Sequence, residues 1–331
     1  MNINDFSVTE LTTAINQFPV AWGRISQGGI FADRGIRTRE LVIEDRSGTL
    51  AVLPTHEWGG EGTVSSKITR NTYAFAIKQT VHDDLVSPAD VQGVRAFGTD
   101  QGVNGLASMS DEIALRLQRI RARHDATLEY KRMGALKGNV LNADGTTSLA
   151  NIFTTFGVSQ TTVDFLLGTA GTDILAKCAA ILNQIQDNLK GDTMSGVRAL
   201  VSPAFYQAFI KHSKVTAAYQ YHSESSQRMG TDMRKGFTFG GVTFEEYRGS
   251  INGTALITAN DGHAFPEGTN DTFATYYAPA DFNEAVNTVG LPIYVKTWEK
   301  EGGRGMVIHT QCNSLPLCHQ PAVLVKVTTS N

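Results

Sequence analysis

The chain has 331 residues, a length that suits two domains or one large domain with excursions. Its 29 Lys and Arg against 32 Asp and Glu give a net charge of −3, which excludes a protein that holds nucleic acid through a basic surface. Charged residues make up 18 %, below the roughly 25 % of ordinary soluble domains, so the surface is poor in charge and composition favours a subunit that neighbours cover.

Met1 to Glu10 carries two acidic residues and no apolar stretch behind a basic start, so no secretory signal is expected, and no run approaches 18 uninterrupted apolar residues. Cys178, Cys312 and Cys318 are odd in number and lack C-x-x-C spacing, as expected in a reducing cytosol.

Residues 1 to 35 read as an arm, because short apolar clusters such as Phe18 to Trp22 are separated by Gly, Gln and Asn. An arm this apolar should be docked on something. From Arg37 to Val81 the period changes to two: Leu41 and Ile43, then Leu50 and Val52, flank Ser47-Gly48, and Tyr73, Phe75 and Ile77 alternate later. Between them Trp58-Gly59-Gly60-Glu61-Gly62 is too rich in glycine for a strand interior and reads as a loop tip. A hairpin of about 45 residues with so few apolar positions cannot build its own core and must lie on something else.

Ser108 to Gly138 is the clearest helix, with Ser108 to Asp111 as its capping pattern and Gly134 or Gly138 as its end. Ile113, Leu117, Ile120, His124 and Leu128 form one narrow stripe, and the other positions are mostly polar. Glu112 can pair with Arg116 at i,i+4, and Lys131 and Arg132 are placed as last-turn cations. At about 1.5 Å per residue the helix spans roughly 40 Å, which suits packing along a sheet or across an assembly. After a turn at Asp144-Gly145, Asp173 to Leu189 gives a second helix, Val197 to Val201 a buried strand, and Pro203 opens a third helix. Phe237 to Phe244 is nearly a mirror about Gly240-Gly241, a strong hairpin signal. Strands return at Ile293 to Trp298, at Met306 to Thr310 after a Gly302-Gly303 turn, and at Val323 to Val327.

The chemistry-bearing patterns are incomplete. There is no G-x-x-x-x-G-K-[ST], and Gly98, Gly102 and Gly105 have the wrong spacing for a dinucleotide loop. Asn142 to Gly145 resembles the middle of a calcium loop, yet the first ligand position falls on Val140 and the twelfth on Asn151, so it reads as a plain turn. His82-Asp83-Asp84, and Cys312, Cys318 and His319, carry metal-ligand side chains without four ligands at zinc spacing. No G-x-S-x-G elbow is present, so no catalytic residue, cofactor or metal is assigned and the chain is read as non-enzymatic; a dispersed active site is the alternative. The basic run Arg116, Arg119, Arg121 and Arg123 is either a solvated helix face or a source of intersubunit ion pairs.

Six phrases in order carry a family resemblance: Asp90-Val91-Gln92; Glu129 to Gly138; Asp144-Gly145 after it; Phe237 to Tyr247; Phe265 to Thr269; and Gln311 to Cys318 with Pro321. They resemble the lambda-type capsid protein E family of tailed bacteriophages. The resemblance implies an α+β, Hong Kong 97-type capsid fold, divided into an N-terminal arm (1–35), an extended loop (36–85), a peripheral domain (86–166 and 282–331) holding the spine helix (108–138), and an axial domain (167–281). It implies a major capsid protein that assembles with itself as hexamers and pentamers into an icosahedral head around double-stranded DNA, in the cytoplasm of a bacterial host. A separate scaffold protein, a portal, a head protease and a decoration protein that adds a strand to an exposed edge are the implied partners, with no membrane. Weak net charge fits a shell that must not immobilise the genome by counterion release. Candidate intersubunit contacts are Phe18 and Trp22 in the arm, Trp58, Gly59, Gly60, Glu61 and Gly62 at the loop tip, and Arg116, Arg119 and Arg123 on the helix. Lys67 is a candidate for the lysine–asparagine crosslink that some members form. An encapsulin-like shell protein of the same fold is the alternative function.

Overall fold

The computed structural model describes residues 12–13, 15–16, 23–47, 69–92, 109–218, 236–251 and 253–330. Their architecture is organised by the helix Met109–Lys137, whose two halves serve two separate cores. Its N-terminal half buries the stripe Ile113, Leu117 and Ile120 against Val86, Val295, Met306 and Ile308. These residues belong to an antiparallel three-stranded sheet with Tyr294–Glu299 and Val81–Val86 flanking Met306–Gln311. The stripe is narrow because one sheet face is all that this half covers. The C-terminal half enters the main core, where Met133, Ala135 and Leu136 are buried, and ends at Gly138 with φ +81°, a left-handed exit that glycine makes at little cost.

The main core lies about a six-stranded mixed sheet, in spatial order Thr161–Asp164, Val325–Thr328, Asp261–Glu267, Gly196–Val201, Val242–Glu246 and Phe237–Phe239. Helix Ile174–Asn188 starts at Asp173, which accepts from Ala176 N–H at 3.2 Å, and buries Ile174, Cys178, Ile181 and Ile185. Helix Pro203–Lys211 follows its strand after Ser202, which caps Phe205 N–H, and carries Phe205 and Phe209 into the core. There they meet Phe165 and Phe244, with Phe209 and Phe244 centroids 4.3 Å apart. The expected hairpin turns at Gly240 and Gly241, φ +57° and +82°. Both angles are positive, as the twist of a two-residue hairpin demands, and a Cβ at Gly240 would press on Cys178.

A second three-stranded sheet joins Ala32–Gly35, Phe273–Tyr277 and Ser314–Cys318. Sequence periodicity did not single out the last two, because both faces of each are buried and no alternation remains to be read. The turn at Asp144 is the plain one expected: its carboxylate accepts from Thr146 and Thr147 N–H at 3.0 and 2.9 Å between Asn139–Leu141 and Ser148–Asn151. Val323 lies in a short 3-10 turn, and the last strand begins only at Val325.

Candidate assembly surfaces

The ribbon Glu40–Ser47 with Thr69–Ala76 is the element that sequence reasoning said could not stand alone. Alternation divides it into two faces. Leu41 and Phe75 are buried, and Tyr73 and Phe75 lie 4.5 and 6.0 Å from the ring of Phe156, so one face of the base is anchored to the main core. The other face, with Glu40, Val42 and Glu44 opposite Ala76, Ala74 and Thr72, is exposed throughout. Val42 alone is 56 % exposed.

The outer face of the long helix is the second open surface: Ala114, Leu115, Gln118, Arg119, Ala122 and Arg123 are all exposed. The three arginines of the sequence reading have different surroundings. Arg119 has no ion-pair partner among the described residues, and Arg123 donates to His82 Nε2 at 2.8 Å. Arg116 is used inside the subunit. Its guanidinium donates to Glu112 (2.9 Å), Asp84 (2.9 Å), Asp90 (3.2 Å) and the carbonyl of Leu85 (2.8 Å), which commits four of its five N–H donors within the subunit. These contacts, the Glu112 hydrogen bond first, raise its pKa against the opposing effect of burial.

Arg116 also covers a sheet edge. In the ladder with Met306–Gln311, Leu85 directs its backbone outward, and its N–H is taken by Asp84 Oδ1 at 2.9 Å while its carbonyl is taken by Arg116. The opposite edge is covered at Val295, whose N–H donates to Thr12 Oγ1 at 3.1 Å. On Ser314–Cys318 the outer edge has Pro316, which has no N–H, and a Ser314 carbonyl that accepts from Lys131 at 3.2 Å. Edges blunted in this way resist unplanned strand pairing.

The C-terminal half of the helix departs from the sequence reading. Lys131 and Arg132 are 4 and 5 % exposed and interior, not last-turn cations facing water. Lys131 is held by Thr80 Oγ1 and Ser314 O, and burial pulls its pKa down. Arg132 donates to Asp33 (2.6 Å) and Thr275 (3.1 Å) and lies over the ring of Phe31. Glu129 has no exposure at all and accepts from Ile25 N–H, Ser26 N–H, Ser26 Oγ and Tyr247 OH at 2.8 to 3.1 Å. Burial, followed by the charge of Glu129, raises the Tyr247 phenol well above its ordinary range. The sequence signal that could have marked this end of the helix as interior is the small pair Gly134-Ala135, where the backbone of Asn139–Leu141 packs close; a Cβ at Gly134 would sit 2.9 Å from Asn139 O.

The arm expected to be docked is docked at its described residues. Ile15 has no exposure, Asn16 donates to the Ile293 carbonyl at 2.9 Å, and Arg24 forks onto Glu245 at 2.7 and 3.1 Å. Phe18, Trp22, Trp58, Gly59, Gly60, Glu61, Gly62 and Lys67 lie outside the described residues. The candidate metal groups are dispersed by strand alternation: His82 faces Arg123 on the helix side, Asp83 pairs with His309, and Asp84 turns to Arg116. Cys312 and Cys318 fall in different cores, and among the described residues no three His, Cys, Asp or Glu side chains are grouped to hold a metal ion. No described helix is long and apolar enough to cross a membrane.

These surfaces are an anchored ribbon with a bare face, a helix with a bare face, and interior edges closed by side chains. The model of the phage major capsid protein E family matches residues 7–329. The chain belongs to that family. The major capsid protein of Pseudomonas phage KPP10 is 29 % identical over 98 % of this chain and 97 % of its own length, and that of Salmonella phage Felix O1 is 27 % identical over 97 % and 96 %. Among solved structures, a capsid protein of an Escherichia coli CFT073 prophage superposes with a TM-score of 0.61 at 11 % identity, covering 98 % of this chain and 99 % of that one. The mature capsid of bacteriophage PhiM1 gives 0.55 at 12 % identity, covering 94 % and 88 %. The fold is therefore the Hong Kong 97-type capsid fold, as the phrase-by-phrase resemblance implied, and the chain is a tailed-phage major capsid protein, a structural component of the virion shell.

Proposed function

We propose that the subunit assembles as hexamers and pentamers into an icosahedral head that encloses double-stranded DNA, within the cytoplasm of a bacterial host. Residues 1–35 serve as the N-terminal arm, 36–85 as the extended loop, 86–166 with 282–331 as the peripheral domain, and 167–281 as the axial domain. A separate scaffold, a portal, a head protease and a decoration protein are the partners this reading calls for. Catalysis has no part in it.

The observation that carries the reading is the ribbon 40–47/69–76, anchored at its base by Leu41 and Phe75 and bare on the face bearing Glu40, Val42 and Glu44. A two-stranded ribbon is marginal in water, and a neighbouring subunit supplies the missing layer. Arg119 and Arg123, both exposed on the long helix, are the proposed helix contacts most open to an intersubunit pair, with Arg116 largely engaged inside the subunit; the tip Trp58 to Gly62, Lys67 and the arm residues Phe18 and Trp22 remain the other proposed contacts.

Negative-stain electron microscopy of the full-length chain, expressed alone and with a scaffold candidate, tests the reading together with light scattering. Closed shells of uniform diameter support it. A monomer or small oligomer under both conditions overturns it.

A further inference from the structure

The outer face of the sheet Val81–Val86, Met306–Gln311 and Tyr294–Glu299 is half covered by its own loop, and one histidine stands at the boundary. Asp83, His309 and Lys296 are direct cross-strand neighbours. His309 lies between two aromatic rings, Phe282 of the loop at 5.5 Å and Trp298 of the edge strand at 5.7 Å. Its Nδ1 meets Asp83 Oδ1, and its Nε2 is 2.9 Å from Gln311 Nε2.

The neighbours fix the proton. Gln311 Oε1 accepts the backbone N–H of Asp281 at 3.0 Å, so the other end of the amide, Nε2, must be the donor toward His309. His309 Nε2 is then an acceptor, and the ring proton sits on Nδ1, where it is donated to Asp83. A second proton from solvent can bind only at Nε2, which would turn two donors toward each other. Rotating the Gln311 amide by half a turn relieves that clash, but it points an NH2 at the Asp281 N–H and breaks the bond that holds the loop.

We propose that protonation of His309 and docking of the 280–286 loop through Gln311 exclude one another, so that acid releases this loop from the sheet and uncovers Phe282. Imidazole is the one side chain whose ordinary titration falls in the mildly acidic range. The charged groups around it divide: Asp83 on the strand Val81–Val86 favours the imidazolium, whereas Lys296 on Tyr294–Glu299 opposes it. Lys296 is itself paired with Glu284 of the loop at 2.9 Å, and Asp281 is paired with Arg39 at 2.6 Å. These two pairs are exposed and keep the loop tethered near the sheet, so the release is local and leaves the fold intact.

The test is hydrogen–deuterium exchange of the full-length chain at about pH 7.5 and about pH 5, corrected for intrinsic rates. In the wild type the peptide spanning 280–286 should exchange about tenfold faster in acid, beyond the intrinsic correction, while the peptide spanning 294–299 is unchanged. Gln311→Glu replaces the amide by a carboxylate that accepts from both Asp281 N–H and a protonated Nε2, so protection should persist at both pH values. His309→Phe keeps the ring packing and cannot titrate, so its exchange should not respond to acid. Equal protection of the wild type at both pH values overturns the proposal, as does an acid response of wild-type size in either variant.

Discussion

Glu129 and Ser26 are 103 residues apart in sequence, yet the carboxylate of Glu129 accepts both the N–H and the hydroxyl of Ser26, each at 2.9 Å. This pair fastens the segment Arg24–Gln27 to the long helix, and Gly23 is tight against the same carboxylate, where any Cβ would collide with it. The segment Arg24–Gln27 is therefore held to the C-terminal half of the long helix by a buried carboxylate.

Glu129→Gln should cost the subunit roughly 1–3 kcal/mol, because one carboxylate oxygen that accepts hydrogen bonds in the interior becomes a donor. Urea unfolding gives the magnitude. Limited proteolysis should find its first new cut between residues 23 and 35, and an unchanged cleavage pattern would mean that the carboxylate does not hold this segment.

At Gly138, φ is +81° and a Cβ would overlap the ring of Phe153. Gly138→Ala combines an unfavourable left-handed backbone with overpacking and should lose about 2–5 kcal/mol, measured as a fall in the denaturation midpoint at unchanged slope. Gly145→Ala is the control: it shares the positive φ, at +72°, but has nothing within 4 Å, so it should lose less.

The carboxylate of Asp192 accepts from the N–H groups of Thr193, Asn270, Asp271 and Thr272 and from the Thr272 hydroxyl. Burial opposes ionisation, but these donors outweigh it and hold the group down to about 2. The folded value lies below the unfolded one, so the stabilisation is present above the ordinary carboxylate range and is lost as pH falls toward 2. At neutral pH Asp192→Asn should be less stable than wild type by on the order of 1 kcal/mol, discounted because the carboxylate keeps partial solvent contact. Thermal melts of both proteins should converge as the pH is lowered; a gap that stays constant down to acid would contradict the assignment.

Arg116 and Arg119 should separate stability from assembly. Arg116→Ala removes donors from Asp84, Asp90, Glu112 and the Leu85 carbonyl and should destabilise the subunit by about 1–3 kcal/mol. Arg119→Glu should leave subunit stability within about 0.5 kcal/mol while reducing the yield of shells. Shell yield is read by sedimentation and stability by calorimetry, and wild-type yield from Arg119→Glu would remove Arg119 from the proposed interface.

Deleting Gly59 to Gly62 should leave a folded subunit that fails to close shells, because the proposed loop tip is shortened while the anchored base with Leu41 and Phe75 is untouched. Normal shells from this variant would refute the tip assignment.

The elements whose periodicity faces two different environments were legible in the chain itself. Ile113, Leu117 and Ile120 repeat at helical spacing because one side of that half-helix meets a sheet and the other meets water. Gly240-Gly241 specifies its turn because a two-residue hairpin needs two positive φ angles, and Ser202-Pro203 specifies a helix start by a capping oxygen and a pre-set φ. Six short phrases in order also sufficed to point to the family and its fold.

Other features exist only after the chain has folded. Phe273–Tyr277 and Ser314–Cys318 are covered on both faces and carry no alternation, so nothing local distinguished them. Lys131, Arg132 and Glu129 look like solvated helix charges in sequence; they are interior because Asp33, Thr80, Thr275, Ser26 and Tyr247, supplied by distant segments, satisfy them there. Arg116 likewise has an obvious local partner in Glu112, whereas Asp84 and Asp90 reach it only through the docking of Val81–Val86 beside the helix. Propensity and periodicity act over a few residues and fix helices, turns and half-exposed strands, while the burial of a charge depends on partners brought from far along the chain, which tertiary structure alone decides.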